Sequence, residues 1–532
     1  MGSLTLFDVA DAKSIDVPSS CNRQGSCNEC VVEVKSGAEQ LCARTDAESF
    51  LKDPYRLACQ ARIETPSTDP VTFAPMQRRP KILTSANRSA NAAIDPPVTR
   101  HGDSVMYAGE PLDAYRGEMY GIAVDLGTTT VVLDFVNLET GESVYQAAIE
   151  NPQRFGGSDV MTRISYDGGP NHGRLRKVTI NAVNSEIKAF CQALRADRQQ
   201  IYEIIIAGNS TMRDLFFGID VQSIGQRPYQ SQIEHEFRSG LRTTTALSEF
   251  AHKLGLLAHP KARVVGPPLI ASHVGADTTA DLVAIGIENQ HETVMLVDIG
   301  TNTEVVLGRA GRLIAASCPA GPAFEGGGIR FGMTGGDGAI ERIEWTPNGW
   351  RYHVIGGEAP QGICGSGLID LLAELRRHDR MTPKGVFKDR SYEMRIAPDH
   401  GITFSRQDAS HLAQAKAANY CGQFILMRTL GVDPAQISKL YLSGGFANYI
   451  DVRNAVEIGF LAPVPEDRVI KIGNGSLEGA RQLLLSQSKR EAIERVVTQI
   501  EHVELETTPD FFEIFVEACQ FKPMPAPKGL LV

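Results

Sequence analysis

The chain has 532 residues and a formal net charge of −10 at pH 7. Its length exceeds what one ordinary hydrophobic core needs and predicts a small domain followed by a large one of two lobes. The acidic balance, without a dense lysine and arginine run, argues against a nucleic-acid partner, and no stretch approaches the roughly 18 apolar residues of a membrane span. Because the N-terminus also lacks a signal-peptide pattern, we expect a cytoplasmic protein without a membrane partner.

Four cysteines near the N-terminus have the spacing C-x5-C-x2-C-x28-C: Cys21, Cys27, Cys30 and Cys59. Plant-type iron–sulfur proteins use C-x4-C-x2-C and a distant fourth cysteine, so the spacing predicts a 2Fe-2S cluster in a small β-rich domain over residues 1–73. A structural zinc site is the alternative, but zinc sites usually pair two short C-x2-4-C units. Cys42 is either an exchanging ligand or a partly buried thiol, and we favour the thiol.

The middle of the chain changes character twice. Residues 74–118 are rich in Pro, Ser, Ala, Asn and Arg and have little periodicity, which predicts a linker with room for one short helix. From residue 119 to residue 532, apolar strands alternate with amphipathic helices, including helices predicted over residues 179–194 and 407–429. This pattern predicts an α/β domain.

Two turns of one type occur about 170 residues apart, each between two apolar strands, at residues 125–130 and 298–303. In such a turn the glycine lets the backbone approach a phosphate, hydroxyl and N–H groups donate to the phosphate oxygens, and the aspartate holds Mg²⁺ or its water shell. The duplication predicts two lobes of similar fold that face each other across a cleft. The candidate residues are Asp125, Gly127, Thr128, Thr129, Thr130, Asp298, Gly300, Thr301, Asn302 and Thr303.

A third segment, residues 441–447, is a strand that ends in Gly444 and Gly445, which can lie flat against a nucleoside. The three segments, in this order, resemble the phosphate-1, phosphate-2 and adenosine motifs of the actin, sugar kinase and heat-shock chaperone superfamily. The resemblance implies a duplicated RNase H-like, actin-like ATPase domain that binds ATP and Mg²⁺ in its cleft. It also implies a carboxylate that orients water toward the γ-phosphate, with Asp277 and Glu304 as candidates.

Further segments are similar to signature segments of the ATP-dependent reductive activators of corrinoid-dependent enzymes: residues 208–212, 320–326, 362–370 and 473–480. In that family a 2Fe-2S ferredoxin-like domain precedes a linker and an actin-like ATPase domain, and the protein returns a Co(II) corrinoid to Co(I). The resemblance therefore implies an ATP-hydrolysing iron–sulfur oxidoreductase. Its implied partners are a corrinoid protein of a methyltransferase or demethylase system and an upstream electron donor.

Other functions stay open at this point. The chain could be a ferredoxin-type electron carrier with a nucleotide-regulated docking module, or an ATP-dependent activator of another low-potential redox enzyme, and it could form a homodimer. A small-molecule kinase of the same fold would not need the N-terminal cysteines. The short region between the linker and the ATPase domain leaves little room for a separate middle domain.

Overall fold

The computed structural model of the chain describes residues 4–15, 17–19, 21–65, 69–76, 94–445 and 447–527. Residues 77–93 of the predicted linker and Phe446 of the third predicted turn therefore lie outside the described residues. Among the described residues, no helix combines the length and apolar character that crossing a bilayer requires.

The N-terminal unit pairs one short helix with a small antiparallel sheet. Helix α1 (Leu6–Ala12) is followed by strands β1 (Val31–Ser36), β2 (Tyr55–Leu57) and β3 (Thr72–Pro75), in the order β2-β1-β3. The loop from α1 to β1 carries Cys21, Cys27 and Cys30, and Cys59 follows β2. Antiparallel pairing of Val31 with Leu57 therefore returns the fourth cysteine to the loop that holds the other three.

The predicted linker contains a sheet in its described part, which the sequence analysis missed. Strands β4 (Val98–His101), β5 (Ser104–Tyr107) and β6 (Glu110–Ala114) form a three-stranded antiparallel meander. The strands have four or five residues each and bury few side chains, such as Val98 and Val105, so their alternation is too short to stand out in the sequence. The boundaries at residues 73 and 118 stay a prediction.

The first lobe is a six-stranded sheet with the order β11-β12-β10-β7-β8-β9. Its strands are β7 (Tyr120–Leu126), β8 (Thr130–Asn137), β9 (Ser143–Glu150), β10 (Ile201–Ala207), β11 (Leu247–Phe250) and β12 (Arg263–Gly266). Its helices are α2 (Val160–Asp167), α3 (Arg174–Leu194), α4 (Ser210–Phe217), α5 (Gln232–Arg238), α6 (Ala251–Leu254) and α7 (Ala276–Ala284). Strand β10 is apolar except at Glu203 and is buried along its whole length, as expected of a parallel strand covered on both faces.

The second lobe repeats this arrangement, with the order β22-β21-β13-β14-β15-β23 in its main sheet. Its strands are β13 (Val294–Ile299), β14 (Thr303–Arg309), β15 (Arg312–Cys318), β16 (Ala339–Thr346), β17 (Gly349–Val354), β18 (Gly362–Ile363), β19 (Glu393–Ala397), β20 (Ile402–Ser405), β21 (Lys439–Ser443), β22 (Val469–Gly473) and β23 (Ile500–His502). Its helices are α8 (Gly365–Arg377), α9 (Arg406–Leu430), α10 (Val452–Glu457), α11 (Gly475–Leu485), α12 (Gln487–Val497) and α13 (Phe511–Ala518).

The two main sheets share one topology, which confirms the predicted duplicated α/β fold. In each, an antiparallel meander of three strands continues on one side into two parallel strands: β9-β8-β7-β10-β12 corresponds to β15-β14-β13-β21-β22. The predicted helices at residues 179–194 and 407–429 are observed as α3 and α9. Helix α11 packs against α7 so closely that a Cβ at Gly479 would lie 1.8 Å from the Ala280 carbonyl oxygen. Glycine is therefore required at this crossing.

The N-terminal unit is docked on the first lobe. One buried apolar cluster contains Phe50 and Leu57 of the N-terminal unit together with Phe155 and Val178 of the lobe. The rings of Phe50 and Phe155 meet edge to face with centroids 5.6 Å apart, and the Tyr166 hydroxyl donates to the Phe50 carbonyl at 2.9 Å. A shared apolar cluster of this kind makes the two parts one packed unit.

Candidate functional site

The cleft between the lobes holds a cavity of about 390 Å³. It is lined by thirteen of the fourteen residues predicted for the nucleotide site: Asp125, Gly127, Thr128, Thr129, Thr130, Asp277, Asp298, Gly300, Thr301, Asn302, Glu304, Gly444 and Gly445. The fourteenth, Thr303, does not line the cavity. It is the first residue of β14, where it pairs with Ile299 and Cys318, and its side chain is buried.

The first turn connects β7 to β8, and the segment that follows β9 forms hydrogen bonds to it on the side away from the cleft. Asn151 donates its side-chain amide to the Gly127 carbonyl and its backbone N–H to the Thr129 carbonyl, each at 2.7 Å. Arg163 of α2 donates to the Thr128 carbonyl at 2.6 Å. Because the carbonyls of the turn are bonded on this side, its hydroxyl groups are left to face the cleft.

The second turn connects β13 to β14 and lies opposite the first. The Gly300 N–H donates to the Asn302 carbonyl at 3.0 Å, which closes the turn. The hydroxyl oxygens of Thr129 and Thr301 are 3.2 Å apart across the cleft. Both hydroxyls also donate to the half-buried carboxylate of Glu325, from Thr129 at 2.6 Å and from Thr301 at 3.1 Å. The two lobes therefore meet at one carboxylate.

The third turn follows β21 and depends on a backbone conformation that favours glycine. Gly444 has a φ of +112°, and a Cβ there would lie 2.1 Å from the Ile299 carbonyl oxygen. Its N–H donates to the Gly473 carbonyl at 3.0 Å, so the end of β21 is fixed against the end of β22. Gly444 and Gly445 border the cavity, and their place beneath an adenosine stays a prediction.

Half-buried and buried carboxylates converge in this cleft. Burial raises the pKa of Asp125 to about 6, although Asn474 and Ser476 donate to it. Burial likewise raises the pKa of Asp277 to about 6. Burial, with the charge of Asp277, raises the pKa of Asp298 to about 7.

Two more buried carboxylates belong to this group, and burial raises the pKa of each. Asp281 accepts from Ser443 at 2.7 Å and interacts with Asp298. Glu304 accepts a hydrogen bond from Ser317 on the neighbouring strand at 3.0 Å. The charges of Asp277 and Asp298 raise the pKa of Glu304 further. Mutual repulsion in a buried cleft means that a cation would stabilise the ionised forms.

These oxygen donors fit Mg²⁺ bound with a nucleotide. Mg²⁺ prefers oxygen ligands, keeps several water molecules and takes the remainder from one or two carboxylates and substrate phosphates. Among the described residues, no three His, Cys, Asp or Glu side chains are placed to hold one metal ion directly. Asp125 and Asp298 line the cavity and can supply the one or two carboxylates that Mg²⁺ takes.

The four predicted cluster cysteines form two pairs. The Cys30 thiol donates to the Cys59 sulfur at 3.4 Å, and that hydrogen bond lowers the pKa of Cys59 to about 7 and raises that of Cys30. Burial opposes ionisation of Cys21, but hydrogen bonds from Cys27 and Ser26 lower the pKa of Cys21 to about 6.

Two pairs of thiolates are what a two-iron cluster requires, because four cysteines serve two irons. Charges couple the pairs to each other, since Cys27 affects Cys30 and Cys21 affects Cys59. The residues therefore fit a 2Fe-2S cluster. Cys42 is bonded elsewhere, to the Gln60 carbonyl and the Arg62 N–H, as expected of a partly buried thiol.

Comparison with known proteins finds matches to three segments of the chain. Residues 2–64 match the 2Fe-2S iron-sulfur cluster binding domain, residues 120–290 the RACo middle region, and residues 292–527 the C-terminal domain of RACo, which is the ASKHA domain. The chain therefore matches a 2Fe-2S domain followed by both regions of RACo. The matched RACo middle region corresponds to the first lobe described above. The expectation of little room for a further domain ahead of the two lobes stays a prediction.

Relatives of this chain match it over most of its length. A corrinoid activation enzyme, RamQ, of Eubacterium limosum is 29% identical over 581 residues that cover 97% of this chain and 95% of the relative. A [Co(II) methylated amine-specific corrinoid protein] reductase of Methanosarcina barkeri is 24% identical over 75% of this chain and 76% of the relative. The solved structure of a reductive activator for corrinoid, iron-sulfur protein has a TM-score of 0.73 at 26% identity and covers 98% of this chain and 96% of that one.

Several residues of the site were not assigned from the sequence. Glu325, Asn209 and Asn474 all lie in segments whose glycines stood out, but side chains at these positions were given no role. Asn151 and Arg163 lie outside every motif. A single sequence carries no signal for such contacts, because they are formed by side chains far apart in the chain.

Proposed function

We propose that this protein reduces the Co(II) form of a corrinoid protein to Co(I) in a process that requires ATP and Mg²⁺. The observation that carries the proposal is the fusion of a cluster-binding domain to a two-lobed cleft with duplicated phosphate turns. The names of the relatives, a corrinoid activation enzyme and a corrinoid protein reductase, support the choice of acceptor. The corrinoid partner belongs to a methyltransferase or demethylase system, and a separate low-potential donor supplies the electron.

Cys21, Cys27, Cys30 and Cys59 hold the 2Fe-2S cluster in this proposal. When bound, the cluster supplies a one-electron carrier of about −400 mV. The lowered pKa values of Cys21 and Cys59 favour the thiolate forms that ligate iron. The acceptor takes up one electron and no other group is transferred.

The two turns bind the phosphates of ATP, and Gly444 and Gly445 lie beneath its adenosine. Thr128, Thr129 and Thr301 donate hydroxyl hydrogen bonds, with Gly127, Thr130, Gly300 and Asn302 completing the two cradles. Asp125 and Asp298 hold Mg²⁺ through its water shell, and the cation favours their ionised forms against the burial that raises their pKa values.

The contacts around Arg163 are one route by which the nucleotide site can affect the N-terminal unit in this proposal. Its guanidinium donates to the Thr128 carbonyl of the first turn and to Gln153 at 3.2 Å, and it is buried without a carboxylate partner among the described residues. The same helix, α2, carries Tyr166, which donates to Phe50. A shift of the turn on phosphate binding would therefore move a helix that contacts the cluster-binding domain.

The test is an anaerobic absorbance experiment. The full-length protein with its cluster is mixed with a Co(II) corrinoid protein of a methyltransferase system and a low-potential reductant, with and without Mg²⁺-ATP. Appearance of the Co(I) spectrum only with ATP is the expected result. Equal reduction without ATP would instead favour a ferredoxin-type carrier with a nucleotide-regulated docking module.

A further inference from the structure

Glu325 occupies the point where the two phosphate turns meet. Its carboxylate accepts from Thr129 of the first lobe at 2.6 Å and from Thr301 of the second at 3.1 Å. The side chain is half-buried, and this partial burial raises its pKa despite these two hydrogen bonds. These hydroxyls are also the donors expected to bind the terminal phosphate, so Glu325 and that phosphate share the same partners.

The backbone around Glu325 keeps the carboxylate at this point. It is the last residue of a short 3-10 helix, Pro322–Glu325, which follows β15. The preceding residue, Phe324, packs edge to face on Phe460 with ring centroids 4.9 Å apart. Gly326 ends the turn with a φ of +92°, and a Cβ there would lie 2.4 Å from the Met333 nitrogen. The aromatic anchor on one side and the required glycine on the other fix where the carboxylate points.

The carboxylates of Asp125, Asp277 and Glu304, which also line the cavity, accept hydrogen bonds from other donors. Their hydrogen-bond donors are Asn474 and Ser476 for Asp125, the Thr278 N–H for Asp277, and Ser317 for Glu304. Among the described residues, Glu325 is the carboxylate that accepts hydrogen bonds from both turns. The Glu325 carboxylate therefore has the charge and the position that a water-orienting group beside the γ-phosphate needs.

We infer that Glu325 is the carboxylate that orients the attacking water and accepts its proton during ATP hydrolysis, in place of the predicted Asp277 or Glu304. This inference rests on the proposed ATP-dependent function. The phosphate takes the Thr129 and Thr301 hydroxyls, which frees the carboxylate to accept from water. The water oxygen forms a bond to the γ-phosphorus as the bond to the bridging oxygen of ADP breaks. The proton goes to Glu325 and then to solvent, and the products are ADP and phosphate.

The experiment compares Glu325→Gln with the parent, as full-length protein with its cluster. Single-turnover hydrolysis of Mg²⁺-ATP and the Kd of a fluorescent ATP analogue are measured for each. Glu325→Gln is expected to hydrolyse ATP about a hundredfold more slowly or worse. Its Kd should be unchanged or lower, because a negative charge beside the phosphate is removed. Glu344→Gln is the matched control, since it removes the same charge from the same lobe at an exposed position paired with Arg351.

Three results would overturn the inference. Hydrolysis by Glu325→Gln within about threefold of the parent would show that the carboxylate takes no part. A rise in Kd that matches the fall in rate would show that Glu325 only supports the binding site. If the parent binds ATP but hydrolyses none, with or without a corrinoid protein, the proposed function fails as well, which separates that outcome from the first two.

Discussion

Replacing Phe50 by alanine should loosen the docking of the cluster-binding domain on the first lobe. The Phe50 side chain is only 2% exposed and packs against Phe155, and the Arg174 guanidinium lies 4.6 Å from its ring centroid. Truncation of a buried phenylalanine costs about 3–5 kcal/mol. Part of that loss falls within the N-terminal unit itself, because the same apolar cluster includes Leu57.

Hydrogen exchange measured by mass spectrometry gives the readout. A loss of about 3 kcal/mol corresponds to roughly a hundredfold loss of protection. In Phe50→Ala we expect that loss in α2, the first turns of α3 and strands β1 and β2. Tyr166→Phe, which removes one hydrogen bond of 2.9 Å to the Phe50 carbonyl, should lower protection in the same segments by only about 0.5–1.5 kcal/mol.

Phe404→Ala is the matched control, because Phe404 is 1% exposed and belongs to the apolar cluster of the second lobe. It should raise exchange in β20 and α9 and leave the docking segments protected. Phe50→Ala should also retain ATP hydrolysis while losing ATP-dependent corrinoid reduction. Unchanged exchange in α2 with Phe50→Ala, or an equal rise with Phe404→Ala, would refute the docking argument.

Three further predictions concern single sites. Glu48→Gln breaks a buried ion pair with Arg56 (2.7 Å) and should destabilise the N-terminal unit by about 3–5 kcal/mol at neutral pH. Burial opposes ionisation of Glu48, but the hydrogen bonds from Arg56 lower its pKa in the folded protein. The difference in unfolding free energy between the parent and Glu48→Gln, measured with denaturant, should therefore shrink as the pH falls below the pKa of Glu48 in the unfolded chain. Cys30→Ser should abolish the visible absorbance of the cluster and keep nucleotide binding, and Cys421→Ser should keep both. Burial lowers the pKa of Lys416 from 10.5 to about 7, so the free energy of unfolding should rise with pH between these two values. In Lys416→Met the midpoint of denaturant unfolding should change less with pH over this range.

The parts of the site predicted from the sequence are those in which short spacing determines chemistry. The cysteines and the two turns each bring their functional groups together within a few residues, and strand pairing of Val31 with Leu57 supplies the distant Cys59. The duplicated fold follows from the repeated turn, because the same strand–turn–strand unit requires the same sheet around it. These relations are local or repeated, so one sequence is enough.

Long-range contacts could not be predicted in the same way. Phe50 and Phe155 are separated by more than a hundred residues, and each is an ordinary apolar residue in its own segment. Glu325 lies in a recognisable glycine-rich segment, but its inferred role depends on Thr129, which belongs to the other lobe. The partner of a buried polar group is fixed only when the lobes are assembled, so the sequence gives the candidate without the contact.

The docking of the N-terminal unit on one lobe constrains how ATP can act. Its apolar contacts are with Phe155, Val178 and neighbouring residues of the first lobe, whereas the nucleotide cleft lies between both lobes. A change in the angle between the lobes would therefore carry the cluster-binding domain as a rigid attachment of the first lobe and move it relative to the second. For a corrinoid protein that contacts both the second lobe and the cluster-binding domain, ATP binding would then change the distance between the cluster and the corrinoid, over which the electron moves. Under this mechanism, a disulfide engineered to fix the two lobes together should block ATP-dependent reduction while the reductant still reduces the cluster, and retention of full activity in that variant would rule the mechanism out.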